Sequence, residues 1–104
     1  MNKRFDKMTP REKFVRLMIR GWKEHKKNWS NKHGYNDNGM TQFCAFGVVG
    51  AELGLPSLQI TAYGIRKELG ATQADLPFHA ITQASDNATS KTDAIRRVRR
   101  ALGL

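Results

Sequence analysis

Apolar side chains recur every three or four residues along most of this chain, which is the spacing of a helix with one buried face. The first such segment begins at Thr9, a capping residue, followed by Pro10 at the first helical position and Glu12 to complete a capping box. One face then carries Phe14, Leu17, Met18, Gly21, Trp22, His25 and Trp29. The opposite face carries Lys13, Arg16, Arg20, Lys23 and Lys27, which we call the first basic stripe. If Gly21 ends the helix early, the later basic residues lie in a loop.

Four further segments show helical patterning, over residues 41–53, 57–69, 76–84 and 91–102. The first of them is apolar nearly all round and rich in small residues, which predicts a central helix that ends at Gly54. The last begins after the capping residue Ser90, with Asp93 three positions on. Its Ala94, Ile95, Val98, Ala101 and Leu102 are predicted to face inward and its arginines to face outward.

No segment alternates apolar and polar residues with the period of a strand. The sequence therefore predicts an all-α fold, a compact bundle of four to five helices forming a single domain over residues 1–104. Residues 1–8 are expected to be a flexible N-terminus. Residues 30–40, rich in glycine and asparagine, are expected to form a loop.

Cellular location is constrained by the polar start of the chain and by its single cysteine. No apolar signal-peptide core comes after Met1, and the longest apolar run, residues 43–49, is far shorter than the roughly 20 residues that cross a bilayer. Cys44 alone excludes an internal disulfide. We therefore expect a cytoplasmic protein with no membrane partner.

Positive charge is concentrated at the two ends of the chain. Residues 1–33 carry 11 Lys and Arg against 3 Asp and Glu, and residues 89–104 carry 5 against 1, within a net charge of +9. Exposed basic faces often serve only solubility, but few acidic residues are interleaved here to form the usual pairs. The segregation predicts attraction to a polyanion, since neutralised phosphates release their counterions. The candidate binding residues are Lys13, Arg16, Arg20, Lys23, Lys27, Arg96, Arg97, Arg99 and Arg100.

Two partners fit this charge, nucleic acid (DNA or RNA) and an acidic host protein. A separate hypothesis is that residues 50–69 form a helix-turn-helix with Gly54 in the turn. In that motif Ser57, Gln59 and Thr61 would contact the major groove of DNA. The candidate recognition helix has no arginine in its first turn, which argues against it.

Enzymatic chemistry has weaker support. Cys44, His79 and Asp86 or Asn87 are the ingredients of a thiol nucleophile with a base and an orienting group. The apolar neighbours of Cys44 and the capping role open to Asp86 and Asn87 favour structural roles instead. No metal-ligand spacing and no phosphate-binding glycine loop occurs. We expect a non-enzymatic protein without cofactor or metal.

The order of three short motifs resembles a group of small, uncharacterised proteins of tailed phages and bacteria. The motifs are Arg20-Gly21-Trp22, Cys44-Ala45-Phe46-Gly47 and Ser85-Asp86-Asn87. Members of that group carry a Gly-Trp, a Cys-x-x-Gly-Ala type helix and an Asn-Asp pair before the last helix, a pair that is reversed here. The resemblance implies a phage or prophage origin and an all-α fold, and it carries no catalytic residue. The group has no settled activity to carry over. From the two basic helical faces we expect a phage-encoded nucleic-acid-binding protein that acts during takeover of a host, or alternatively a non-enzymatic inhibitor of a host or defence protein.

Overall fold

The computed structural model describes residues 4–29 and 42–104, and this part of the chain forms a bundle of five α-helices. The helices are α1 (Pro10–Ile19), α2 (Ala45–Glu52), α3 (Ala62–Leu69), α4 (Phe78–Asp86) and α5 (Lys91–Ala101). Short 3₁₀ turns span Phe5–Lys7 and Ser57–Gln59, and two-residue strands β1 (Asn28–Trp29) and β2 (Gln42–Phe43) pair in parallel. The predicted all-α fold is confirmed. The loop predicted at residues 30–40 lies outside the described residues.

The predicted helix starts are built from local hydrogen bonds. At α1 the Thr9 hydroxyl accepts from the Glu12 backbone N–H at 3.2 Å, and the Glu12 carboxylate accepts from the Thr9 N–H at 2.8 Å. At α5 the Ser90 hydroxyl accepts from the Asp93 N–H at 3.1 Å. Each cap satisfies a backbone donor that the first helical turn leaves without a partner. The start of each of these helices therefore depends on a contact between residues that are three positions apart in the sequence.

The first helix departs from its prediction beyond Ile19. A π-helical turn, Arg20–Glu24, follows α1, and in it the His25 N–H donates to the Arg20 carbonyl at 2.8 Å. Gly21 lies so close to α2 that a Cβ atom there would be 2.4 Å from a methyl carbon of Val48. The turn buries Trp22 completely, whereas His25, predicted on the same apolar face, is exposed. The change from α-helix to π-helix therefore occurs where the chain packs most closely against α2.

The small-residue segment forms the predicted centre of the bundle, although its helix begins later, at Ala45. Every residue from Ala45 to Gly50 is buried. A Cβ atom at Gly50 would be 2.5 Å from the Ile60 side chain, so that side chain occupies the space glycine leaves. Gly54 follows the helix with a positive φ of 71°, a conformation suited to glycine.

The helix predicted over residues 57–69 is interrupted. Ser57–Gln59 forms a 3₁₀ turn, Ile60 leaves helical geometry to enter the core, and Thr61 then caps α3 by accepting from the Gly64 N–H at 3.0 Å. The break coincides with the residue whose side chain fills the space beside Gly50. Gly70 ends α3 as predicted.

Helices α4 and α5 pack against each other, and Arg11 joins their ends. Its guanidinium donates to the carbonyls of Ala74 and Asp75, each at 2.8 Å, and of Leu102 at 3.2 Å. Because one side chain reaches all three carbonyls, the C-terminal end of α5 lies beside the residues that precede α4. We call this contact the Arg11 bridge. It places α5 on the outside of the bundle with its axis fixed relative to α1.

Candidate nucleic-acid interface

Helix α5 contacts the core along one side. Ala94, Val98 and Leu102, one residue per turn, are buried, whereas Ala101, predicted to face inward, is exposed. The rest of the helix circumference is at least partly open to solvent. The arginines occupy this open side: Arg96, Arg97, Arg99 and Arg100. The arginines face outward, as predicted from the sequence, because the core contact of α5, which includes the partly buried Ile95, lies on the opposite side of the helix.

The four arginines spread around the outer half of the helix. With about 100° between successive residues, they cover an arc of about 160° centred opposite Val98. Arg96 and Arg100 are nearest the middle of the arc, and Arg97 and Arg99 are at its two edges. The side chains of Arg96 and Arg97 are 55% and 41% exposed.

Asp93 neutralises part of this charge. Its carboxylate forms ion pairs with Arg96 and, at 2.8 Å, with Arg97 Nε, and it accepts from the Thr89 N–H at 3.1 Å. The hydrogen bond from Arg97 and then the one from Thr89 hold the pKa of Asp93 well below its usual range, so it stays ionised. In the described part of the chain Arg99 and Arg100 have no carboxylate partner. Uncompensated charge is thus greatest in the C-terminal half of α5.

Lys23 extends the basic surface beyond α5. Its ammonium donates to the Thr92 hydroxyl at 2.5 Å, and Lys91 donates to the Trp22 carbonyl at 2.9 Å, so the π-helical turn and the start of α5 are joined side by side. A shallow depression of about 580 Å³ runs along the same side of α5 and its C-terminal end. We call the following residues the α5 surface: Lys23, Thr92, Ile95, Arg96, Arg97, Arg99, Arg100, Gly103 and Leu104.

The remainder of the first basic stripe does not join this surface through any hydrogen bond or ion pair among the described residues. Lys13 lies over the Phe5 ring at 5.6 Å, and Arg16 pairs with Glu24 at 3.4 Å. Arg20 is partly buried. Lys27 binds Glu52. The structure thus brings Lys23 to α5 and gives Arg16 and Lys27 acidic partners.

Glu52, which sequence reasoning did not select, is the carboxylate that holds Lys27. Its side chain is only 3% exposed and binds Lys27 at 2.7 Å and His25 at 2.9 Å. Burial raises the pKa of Glu52, but hydrogen bonds from His25 and Lys27 outweigh it and hold the pKa below its ordinary 4.5. The cluster ties the chain after the π-helical turn to the end of α2. Lys27 is therefore a structural residue in this arrangement.

The helix-turn-helix hypothesis for residues 50–69 does not fit the geometry. Residues 53–61 separate α2 from α3, whereas the motif joins its helices by a turn of about three or four residues. Ser57 and Gln59 lie in the 3₁₀ turn and Thr61 caps α3, so the three do not share a recognition helix.

The candidate nucleophile group is not assembled as a triad. His79 and Asp86 are two helical turns apart on α4, about 10 Å along the axis, which is beyond hydrogen-bond reach. Cys44 is 7% exposed at the edge of an apolar cavity of about 240 Å³ that is also lined by Phe46 and Phe78. Within the described ranges no three His, Cys, Asp or Glu side chains are grouped as metal ligands.

Comparison with protein-family models, with curated proteins and with solved structures gave no match to this chain. The resemblance to small phage and bacterial proteins accordingly stays a prediction. In residues 4–29 and 42–104 no helix has both the length and the apolar composition needed to span a membrane.

Proposed function

We propose that this protein binds nucleic acid through the α5 surface. The observation that supports the proposal is the set of four arginines on one outward helical face, two of them, Arg99 and Arg100, without a carboxylate partner among the described residues. A fixed array of guanidinium groups suits phosphate oxygens, which arginine binds through two parallel hydrogen bonds. Lys23 adds a fifth positive charge beside the helix.

The arrangement suits contact with a backbone of phosphates because it is both exposed and held in place. Helix α5 is fixed at its N-terminal end by the Ser90 cap and at its C-terminal end by the Arg11 bridge. Positively charged side chains on a rigid helix lose less conformational entropy on binding than the same side chains on a loop. Each phosphate they neutralise releases condensed counterions, which drives association at moderate salt.

The test compares two variants with the same change in net charge. R99Q/R100Q removes the two arginines without carboxylate partners, and the control K7Q/K67Q removes two exposed lysines outside the α5 surface. Fluorescence anisotropy with a labelled DNA duplex is measured over a series of salt concentrations. We expect R99Q/R100Q to reduce the slope of log affinity against log salt by roughly 0.9 per lost phosphate contact, and the control to change it little. Equal effects of the two variants, or no wild-type binding at low salt, would overturn the proposal.

An acidic protein is the second candidate partner, favoured by the apolar part of the α5 surface. Ile95 is half-buried and Leu104 is 45% exposed beside the arginines, a mixture common at protein interfaces. In this alternative the protein, if phage-encoded, inhibits or redirects a host or defence protein. Co-purification from nuclease-treated host lysate tests it, and the captured protein should be lost with R99Q/R100Q and retained with K7Q/K67Q.

A further inference from the structure

We infer that the nucleic acid is duplex DNA and that α5 enters its major groove, an inference that rests on the proposed function. The core contact of α5 is confined to one side of the helix, where Ala94, Val98 and Leu102 are buried and Ile95 is partly buried, and the opposite side is open to solvent. A helix with its side chains is about 10–12 Å across, and the major groove of B-form DNA is about 12 Å wide. The solvent-facing side of this helix therefore has the width that the groove admits.

The positions of the arginines match the walls and floor of such a groove. Arg97 and Arg99, at opposite edges of the arc, lie on the sides that would face the two phosphate backbones. Arg96 and Arg100, in the middle, lie on the side that would face the base edges, where arginine binds the O6 and N7 atoms of guanine.

Small residues accompany the central arginines. Thr92 and Gly103 line the outward side of α5 together with Arg96 and Arg100, and the apolar side chains on this surface, Ile95 and Leu104, lie towards the Arg99 edge and beyond the end of the helix. Asp93 uses the Nε atom of Arg97, which leaves that guanidinium's Nη donors available to a phosphate. Asp93 binds Arg96 through an Nη atom, so Arg100 is the central arginine that has no carboxylate partner among the described residues.

The first test compares three probes of the same sequence, a DNA duplex, an RNA duplex and single-stranded DNA, at equal ionic strength. The major groove of A-form RNA is too deep and narrow to admit a helix, although its phosphates are as numerous. We expect binding to the DNA duplex to be at least about tenfold tighter than to the RNA duplex. Equal or tighter binding to RNA or to the single strand would overturn groove insertion and leave the proposed function standing. Binding to none of the three would overturn both.

The second test compares Arg100, in the middle of the arc, with Arg99, at its edge. R99Q and R100Q each remove one positive charge. R99Q should weaken binding to all duplexes alike and reduce the salt slope by roughly 0.9. R100Q should also reduce the preference for a duplex containing G·C pairs over one of A·T pairs alone, because a lost guanine contact affects only the former. If the two variants behave identically on both duplexes, Arg100 does not contact bases and insertion of α5 is refuted. Displacement of the protein by a minor-groove ligand such as netropsin would refute it as well.

Discussion

Helices α2 and α5 differ in how much of their surface is buried. In α2 every residue from Ala45 to Gly50 is buried, and glycine admits the Ile60 side chain where any larger residue would collide. In α5 burial is confined to one residue per turn, and arginines fill most of the remaining circumference. Shape therefore constrains the sequence of α2, whereas charge distinguishes α5. Substitutions in α2 should alter stability, and substitutions on the outside of α5 should alter binding.

The largest difference between the two helices should appear when a small residue is replaced by leucine in each. Gly50→Leu places a side chain where Ile60 already lies, and such overpacking lowers the free energy of unfolding by about 1–3 kcal/mol or more. Ala101→Leu, the matched change on α5, adds an exposed side chain and should alter it by less than about 0.5 kcal/mol. Urea denaturation measures both. Equal stability of the two variants would contradict the central position of α2.

The carboxylate at the end of α2 gives a second contrast. Glu52→Gln removes the buried charge that Lys27 and His25 bind, which should lower the free energy of unfolding by about 1–2 kcal/mol at pH 7. Because the pKa of Glu52 in the folded protein lies below its ordinary 4.5, its stabilisation is present above pH 4.5 and lost as pH falls below it. The variant should therefore lose less stability than wild type on acidification. Glu68→Gln, an exposed change on α3, is the control and should follow wild type.

Removing charge from α5 should affect stability less. Replacement of Arg96, Arg97, Arg99 and Arg100 by glutamine should leave the helical circular dichroism unchanged and lower the free energy of unfolding only slightly, because the pairs with Asp93 that it removes lie at the surface. Binding to every nucleic acid should weaken in the same protein. Unfolding of this variant at room temperature would show that the arginines are structural.

The smallest effect is expected at Ser85 on α4, the helix that packs against α5. Its hydroxyl is buried and has no hydrogen-bond partner among the described residues. Ser85→Ala removes a polar group that lost its hydration without gaining a bond, so stability should be unchanged or rise by up to about 1 kcal/mol. A thermal melt measures the change. A clear loss of stability would show that the hydroxyl is hydrogen-bonded in solution.

Features fixed by neighbours in the sequence were predictable. The caps at Thr9 and Ser90 need only the residues three positions on, and the outward arginines of α5 follow from helical spacing. The sequence left open that Gly21 ends the first helix early, but the π-helical form of the turn was not predicted, and Val48, the close neighbour of Gly21, is far from it in the sequence. The break at Ile60 was not predicted either, and it coincides with the space beside Gly50.

The residues of the candidate site also differ in whether the sequence alone could identify their contacts. Charge segregation selected Arg99 and Arg100, and nothing nearby in the sequence opposes them. It also selected Lys27, whose partner Glu52 is 25 positions away and could not be identified from spacing. Lys23 contacts Thr92, which is 69 positions away in the sequence, so no local sequence pattern predicts that Lys23 lies beside α5.

The Arg11 bridge has a consequence for the order in which the protein is made. Its bond to Leu102 spans 91 positions of the chain. Synthesis proceeds from the N-terminus, so Arg11 leaves the ribosome long before the carbonyl it will hold. Until Leu102 emerges, the bond from Arg11 cannot form, and α5 is held only by contacts of its earlier residues, such as that of Lys91 with the Trp22 carbonyl. The proposed binding surface therefore forms after the four other described helices have been synthesised, so the nascent chain carries the basic residues of α1 before it carries the arginines of α5.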